Sequence, residues 1–200
     1  MRSLLAGVLA GALLGAGAAS AEIVVTEKVS HYAVSGISGR DLGRSMLRGG
    51  ARTINLRHAI AATTTRFDFT DPVLAVERGR CVVKAITVRL SIEYQLPKWT
   101  SRHKANARLR RSWDDFYAEL VRHEQTHGRI AREFARRIER ELLRLSGTQA
   151  FGCSDFGAFS EARFAALSAE LRRQQLAFDR RENRSTSTIS RLQHALLVAQ

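Results

Sequence analysis

Five residues near the middle of the chain, His123-Glu124-Gln125-Thr126-His127, carry the most specific chemistry in the sequence. On a helix, His123 and His127 lie one turn apart and project their imidazoles from one face. Two ring nitrogens about 2.0–2.1 Å from a common point are half of a tetrahedral zinc shell. Glu124 stands beside them, where a carboxylate can hold a metal-bound water and take its proton as that water attacks a carbonyl. A chance HExxH in a chain of this length has a probability on the order of 1% or less.

Placement strengthens the reading. With Leu120 at zero and about 100° per residue, His123 falls near −60°, Glu124 near +40° and His127 near −20°. All three therefore share the apolar stripe of Trp113, Phe116, Leu120, Ala131, Phe134, Ile138, Leu142 and Leu145 and avoid the arginine-rich face. Two imidazoles and a carboxylate buried without partners would cost several kcal/mol, on the order of 1–3 kcal/mol each.

A third ligand is harder to place. Ile130 stands where a turn-forming glycine would let the chain fold back, so the helix continues and swings Glu133 away from the histidines. The ligand should then come from just after or from within a second helix, expected from about Phe159 to Arg181, with Phe164, Leu167, Leu171 and Phe178 as its apolar side. Counted from Phe164 at about 100° per residue, Asp179 falls near +60° and Glu182 near 0°, so either carboxylate can face the histidines. His194 is a more distant candidate; His31, His58 and His103 read as surface or strand-end residues.

These helices need a scaffold. EIVVTEKVSHYAVSG reads as a strand, and Ser38-x-x-Asp41 opens a short capped helix that Gly49-Gly50 ends. HAIAATTTRFDF is a second strand. CVVKAITVRLSIEYQLP is the clearest, placing Val82, Ile86, Val88, Leu90, Ile92 and Tyr94 on one face and Val83, Ala85, Thr87 and Arg89 on the other, with Pro97 as its end. The fold class is α+β: a small, mainly antiparallel sheet packed against the long HExxH helix and a second C-terminal helix.

The chain of 200 residues opens with Arg2, an apolar run from Leu4 to about Ala19, and Ala19-Ser20-Ala21 as a small-x-small cleavage site. Residues 1–21 read as an export signal, residues 22–182 as one domain, and residues 183–200 as a loosely structured tail. The apolar run is shorter than the roughly 20 residues a membrane span needs. Two cysteines, Cys81 and Cys153, in an exported chain read as one disulfide. The formal net charge of +13 fits solvated helix faces or affinity for an anionic envelope surface. Nucleic acid, the first thought for a cytosolic protein of this charge, conflicts with the export signal.

Taken together, Tyr32-Ala33-Val34-Ser35-Gly36, the Thr-rich strand from Thr63 to Phe69, Cys81, Leu96-Pro97-Lys98-Trp99, HEQTH and Cys153 follow an order that resembles the bacterial secreted proteins grouped as domain of unknown function 922. The resemblance implies a zincin-like, zinc-dependent peptidase acting on peptide or protein substrates in the periplasm or outside the cell. His123 and His127 would be ligands and Glu124 the general base. The family pattern closes with Tyr-Asp-x-x-Thr-x-His-Gly. Here Asp179 alone matches, Phe178 stands conservatively for its Tyr, and Arg184, which has no lone pair to offer a metal, stands in place of its His. A non-catalytic, zincin-like envelope binding protein is therefore the alternative.

Overall fold

The computed structural model describes residues 20–50, 59–69, 72–146 and 153–200. It holds β1 (Ser20–Val34), α1 (Gly39–Gly49), β2 (Ala62–Phe69), β3 (Val73–Glu77), β4 (Arg80–Trp99), α2 (Ala107–Leu145), α3 (Phe156–Glu182) and α4 (Thr188–Val198). The architecture is α+β, as the periodicities predict. All but the last two residues of the expected export signal lie outside the described residues; Ser20 and Ala21 open β1.

One strand organises the sheet. β4 pairs with β1 in parallel on one side and with β2 and then β3, both antiparallel, on the other. Its β-branched and aliphatic residues alternate with polar ones, so Ile86, Val88, Leu90, Ile92, Tyr94 and Leu96 are buried while Arg89, Ser91 and Glu93 are exposed. Alternation fails twice: Leu96 and Pro97 are both buried, and near the start of the strand the phase is reversed. Val83 is fully buried and Val82 only partly so, the reverse of the expected faces. The pairing of β3 with β4 slips between Val73 and Leu74, which oppose Ala85 and Val83, so Lys84 is an extra residue. Such a bulge shifts the side-chain phase by one. Pro97 does not end the strand either; it sits in β4 opposite Tyr32, and pairing continues to Trp99.

The helices cover one face of this sheet. Asn106 caps α2, its side chain accepting from the Leu109 N–H at 2.9 Å. The predicted stripe is buried from Trp113 to Leu142. Ser38 caps α1 as its spacing predicts, accepting from the Asp41 N–H at 3.2 Å and donating to Asp41 Oδ2 at 2.7 Å. α3 runs antiparallel to α2 along a seam of ion pairs: Arg163–Glu141 at 2.9 Å, Arg137–Glu170 at 2.6 Å and Arg122–Glu182 at 3.0 Å. Part of the arginine excess is thus spent between helices. The disulfide forms between Cys81 and Cys153, with Cα atoms 4.9 Å apart, and ties the start of β4 to the entry of α3. A closed loop of that length contributes on the order of 4 kcal/mol in the chain-entropy description. No described helix is long and apolar enough to cross a membrane.

Residues 183–200 correct the expectation of a loose tail. The Ser187 hydroxyl accepts from the Ser190 N–H and caps α4. Leu196 is fully buried, and the Gly39 N–H donates to the Ala199 carbonyl at 2.9 Å. The polar run RENRSTSTIS hides a short amphipathic pattern, Ile189-Leu192-Leu196, that begins near its end. α4 docks through glycine: a Cβ on Gly39 would stand 1.8 Å from the Leu196 carbonyl oxygen, whereas one on Gly157 meets nothing within 4 Å.

Gly39→Ala should therefore destabilise the protein by about 1–3 kcal/mol, the usual cost of overpacking. Gly157→Ala should be neutral or stabilising by up to about 1 kcal/mol. Thermal unfolding of the two variants checks this, and a Gly39→Ala melting curve superimposed on wild type would refute the docking role of α4.

Candidate metal centre

α2 continues through Gly128, an unfavourable residue for a helix interior at about 1 kcal/mol relative to Ala. The reason is packing. A Cβ there would lie 2.0 Å from the Tyr94 hydroxyl oxygen, so the glycine lets α2 settle onto β4 directly after HEQTH. Leu120, Glu124, Gly128 and Ala131 form the buried row of the helix. His123 and His127 occupy the next row, turned toward α3.

Three ligand atoms converge there. The Nε2 atoms of His123 and His127 are 3.2 Å apart. Asp179 Oδ1, from α3, lies 2.9 Å from His127 Nε2 and 3.5 Å from His123 Nε2. Donors about 2.0–2.1 Å from one tetrahedral metal stand roughly 3.3–3.4 Å from each other. The three edges lie around that spacing, so two nitrogens and a carboxylate oxygen could hold a metal ion. Among the described residues, this is the group of His, Cys, Asp and Glu side chains close enough to hold an ion. Phe178 stacks on the His123 ring at 4.8 Å and meets the His127 ring edge-on at 5.0 Å, walling off one side.

Charges respond to this convergence. Burial opposes ionisation of Asp179, but its hydrogen bonds to His123 and His127, with their charge, hold its carboxyl well below the usual carboxylate range. Burial likewise disfavours the His127 imidazolium, yet the bonds to Asp179 and Gln175 outweigh it and raise the His127 pKa. Both shifts have one origin: electron-rich atoms held together favour a cation among them, whether proton or metal.

Glu124 lies beside this group and is only 4% exposed. Burial pushes its carboxyl pKa upward, against the lowering effect of Thr63 and the two histidines. The Thr63 hydroxyl, from β2, donates to Glu124 Oε2 at 2.7 Å and lies 3.1 Å from the Glu124 carbonyl oxygen. Composition did not single out Thr63; its register opposite Tyr94 puts it under the helix. Gln175 is the other residue the sequence left unmarked, one turn before Asp179. Its amide contacts His127 twice, with Oε1 2.5 Å from Nδ1 and Nε2 donating to the backbone carbonyl at 3.1 Å.

Of the two carboxylates proposed from the helix angles, Asp179 reaches the ligand atoms. Glu182 Oε2 approaches the other side of His123, 3.9 Å from Nδ1, and Arg122 holds it at 3.0 Å. His194 lines a groove with Arg40, Leu47 and Val198, and His31 lines another with Trp99, Trp113 and Tyr117. Neither belongs to the cluster. His58 lies outside the described residues.

The sequence profile of the family described as bacterial protein of unknown function (DUF922) matches residues 29–186, a span that includes every member of this cluster. No curated protein and no solved structure matches the chain.

The raised Glu124 pKa has a direct consequence for the metal-free protein. A carboxyl whose folded pKa exceeds its unfolded value stabilises the fold fully below the unfolded pKa, and that contribution is lost as pH rises through the folded value. Glu124→Gln should remove this component. Thr63→Val, which deletes a bond that lowers the Glu124 pKa, should move the loss to higher pH. Stability against pH in the presence of a chelator measures both, and a Thr63→Val profile that follows wild type would exclude Thr63 as a determinant of Glu124 ionisation.

Proposed function

We propose that this chain, which belongs to the DUF922 family of bacterial proteins, is a zinc-dependent metallopeptidase of the periplasm or extracellular space. The observation that carries the reading is the convergence of His123 Nε2, His127 Nε2 and Asp179 Oδ1 at coordination spacing, with the Glu124 carboxylate beside them. Asp179 supplies the third donor that sequence spacing left open between two carboxylates.

His123, His127 and Asp179 would hold the zinc, which would supply a Lewis acid able to bring the pKa of water down to about 7. Glu124 accepts a proton on its carboxylate from the attacking water and returns it to the departing amine. Burial raises its pKa, which favours its holding the proton between the two transfers. The Thr63 bond engages Oε2 and so leaves Oε1 for the proton. Phe178 packs against both imidazoles and limits water on that flank. The leader-like N-terminus and the disulfide support an exported protein.

A second reading is a zincin-like binding protein that keeps the metal without turnover. It is favoured by Arg184, which stands where the family pattern has a histidine.

Metal analysis and peptide hydrolysis separate the two. Wild type and Glu124→Gln should each carry one zinc per chain, with hydrolysis reduced about 10²–10⁴-fold in the variant, the range for loss of a general base. His127→Ala and Asp179→Ala should lose the metal. Stoichiometric zinc without hydrolysis of any peptide library would favour the binding protein; zinc well below one per chain, unaltered in His127→Ala, would reject the metal site.

A further inference from the structure

The Gln175 side chain spans two groups of a single residue. Its Nε2 donates to the His127 backbone carbonyl at 3.1 Å, and its Oε1 lies 2.5 Å from His127 Nδ1. These two contacts admit one arrangement of hydrogens. A backbone carbonyl only accepts, so the amide nitrogen must face it, which leaves the amide oxygen at Nδ1. That oxygen also only accepts, so Nδ1 must carry the hydrogen. With Nδ1 donating to Gln175, Nε2 can donate to Asp179 Oδ1 at 2.9 Å only while the ring carries both hydrogens; the lone pair that a metal would take is on Nε2, 3.2 Å from His123 Nε2.

His123 has no such restraint. Its Nδ1 is buried without a hydrogen-bond partner, and Glu182, 3.9 Å away, is engaged by Arg122. One ligand ring is therefore locked in tautomer and rotation, and the other is held by Phe178 stacking.

We propose that Gln175 is a positioning residue that fixes the tautomer of His127 and thereby sets the affinity of the cluster for zinc. The inference rests on the metal-site reading above and goes beyond it by assigning a role to a residue that cannot itself be the third ligand. The lock comes from the same helix as Asp179, one turn earlier. A single placement of α3 thus delivers both a ligand and the orientation of its partner. The amide is also neutral. Glu124, Asp179 and Glu182 already crowd the region, and Gln175 orders the imidazole without a further negative charge.

The test uses the full chain and zinc itself, in competition with a chromophoric chelator. Gln175→Leu removes the acceptor at Nδ1 and should weaken zinc binding about 10–100-fold, the usual loss for a metal-orienting partner. Gln175→Glu keeps an acceptor there and should stay within roughly threefold of wild type, since carboxylates serve the same orienting role. Nitrogen-15 NMR of metal-free wild type should show Nδ1 of His127 protonated whether the ring is charged or neutral, and Gln175→Leu should place the hydrogen of the neutral ring on Nε2, where Asp179 accepts it. Folded Gln175→Leu that binds zinc as tightly as wild type overturns the proposal, as does equal weakening by Leu and Glu, which would indicate lost packing. If Gln175→Leu fails to fold, the tautomer in wild type and the affinity of Gln175→Glu still decide. A wild type that binds no zinc at all overturns the metal-site reading and this proposal with it; wild-type binding with an indifferent Gln175→Leu overturns this proposal alone.

Discussion

Close approach of α2 to β4, made possible by Gly128 under the Tyr94 hydroxyl, is the constraint from which the rest of the arrangement follows. A helix of 39 residues across a strand of 20 can settle at many heights and rotations if only apolar bulk decides. Tyr94 against a missing Cβ specifies one. In that setting the row Leu120–Glu124–Gly128 faces the sheet, Glu124 lands on Thr63, and the neighbouring row of histidines points at α3. A larger residue at 128 would lift the helix and separate Glu124 from its hydroxyl partner.

The electrostatic character of the centre contrasts with that of the whole chain. The protein has a formal net charge of +13, yet Glu119, Glu124, Asp179 and Glu182 gather around two imidazoles. Arginines neutralise the outer members: Arg122 pairs with Glu119 and Glu182. The inner carboxylates, Glu124 and Asp179, are met instead by a hydroxyl and by imidazoles. Arginines thus cancel the outer carboxylates and leave the inner ones to the imidazoles, where a cation among them, proton or metal, is favoured.

Much of this was legible in the sequence because it repeats. The 3.6-residue period placed HEQTH on a buried stripe, the Ser38–Asp41 spacing fixed a cap, and the paired cysteines met. Features that depend on a single residue did not show. An extra residue at Lys84 turned Val83 inward and Val82 outward, and period-two counting carries no sign of a bulge. α4 was hidden because its polar capping residues resemble a tail until Leu196 is seen under Gly39. Between Asp179 and Glu182, helix angles alone gave no preference; the antiparallel offset of α3 on α2 decided, and no local pattern encodes an offset. Gln175 was silent for the same reason, since an amide on a helix has no role until its neighbour is known.

The order of elements along the chain also gives the centre a history. β4 and α2, with both histidines and Glu124, are synthesised before α3 brings Asp179, and α4 follows to secure the end of that helix: the Ser187 hydroxyl bonds the Glu182 carbonyl. A growing chain therefore carries an incomplete set of donors through most of its synthesis. Two imidazoles bind a metal weakly and reversibly compared with three ordered donors. A metal held by all three donors would in this way be retained only once the helical hairpin has closed.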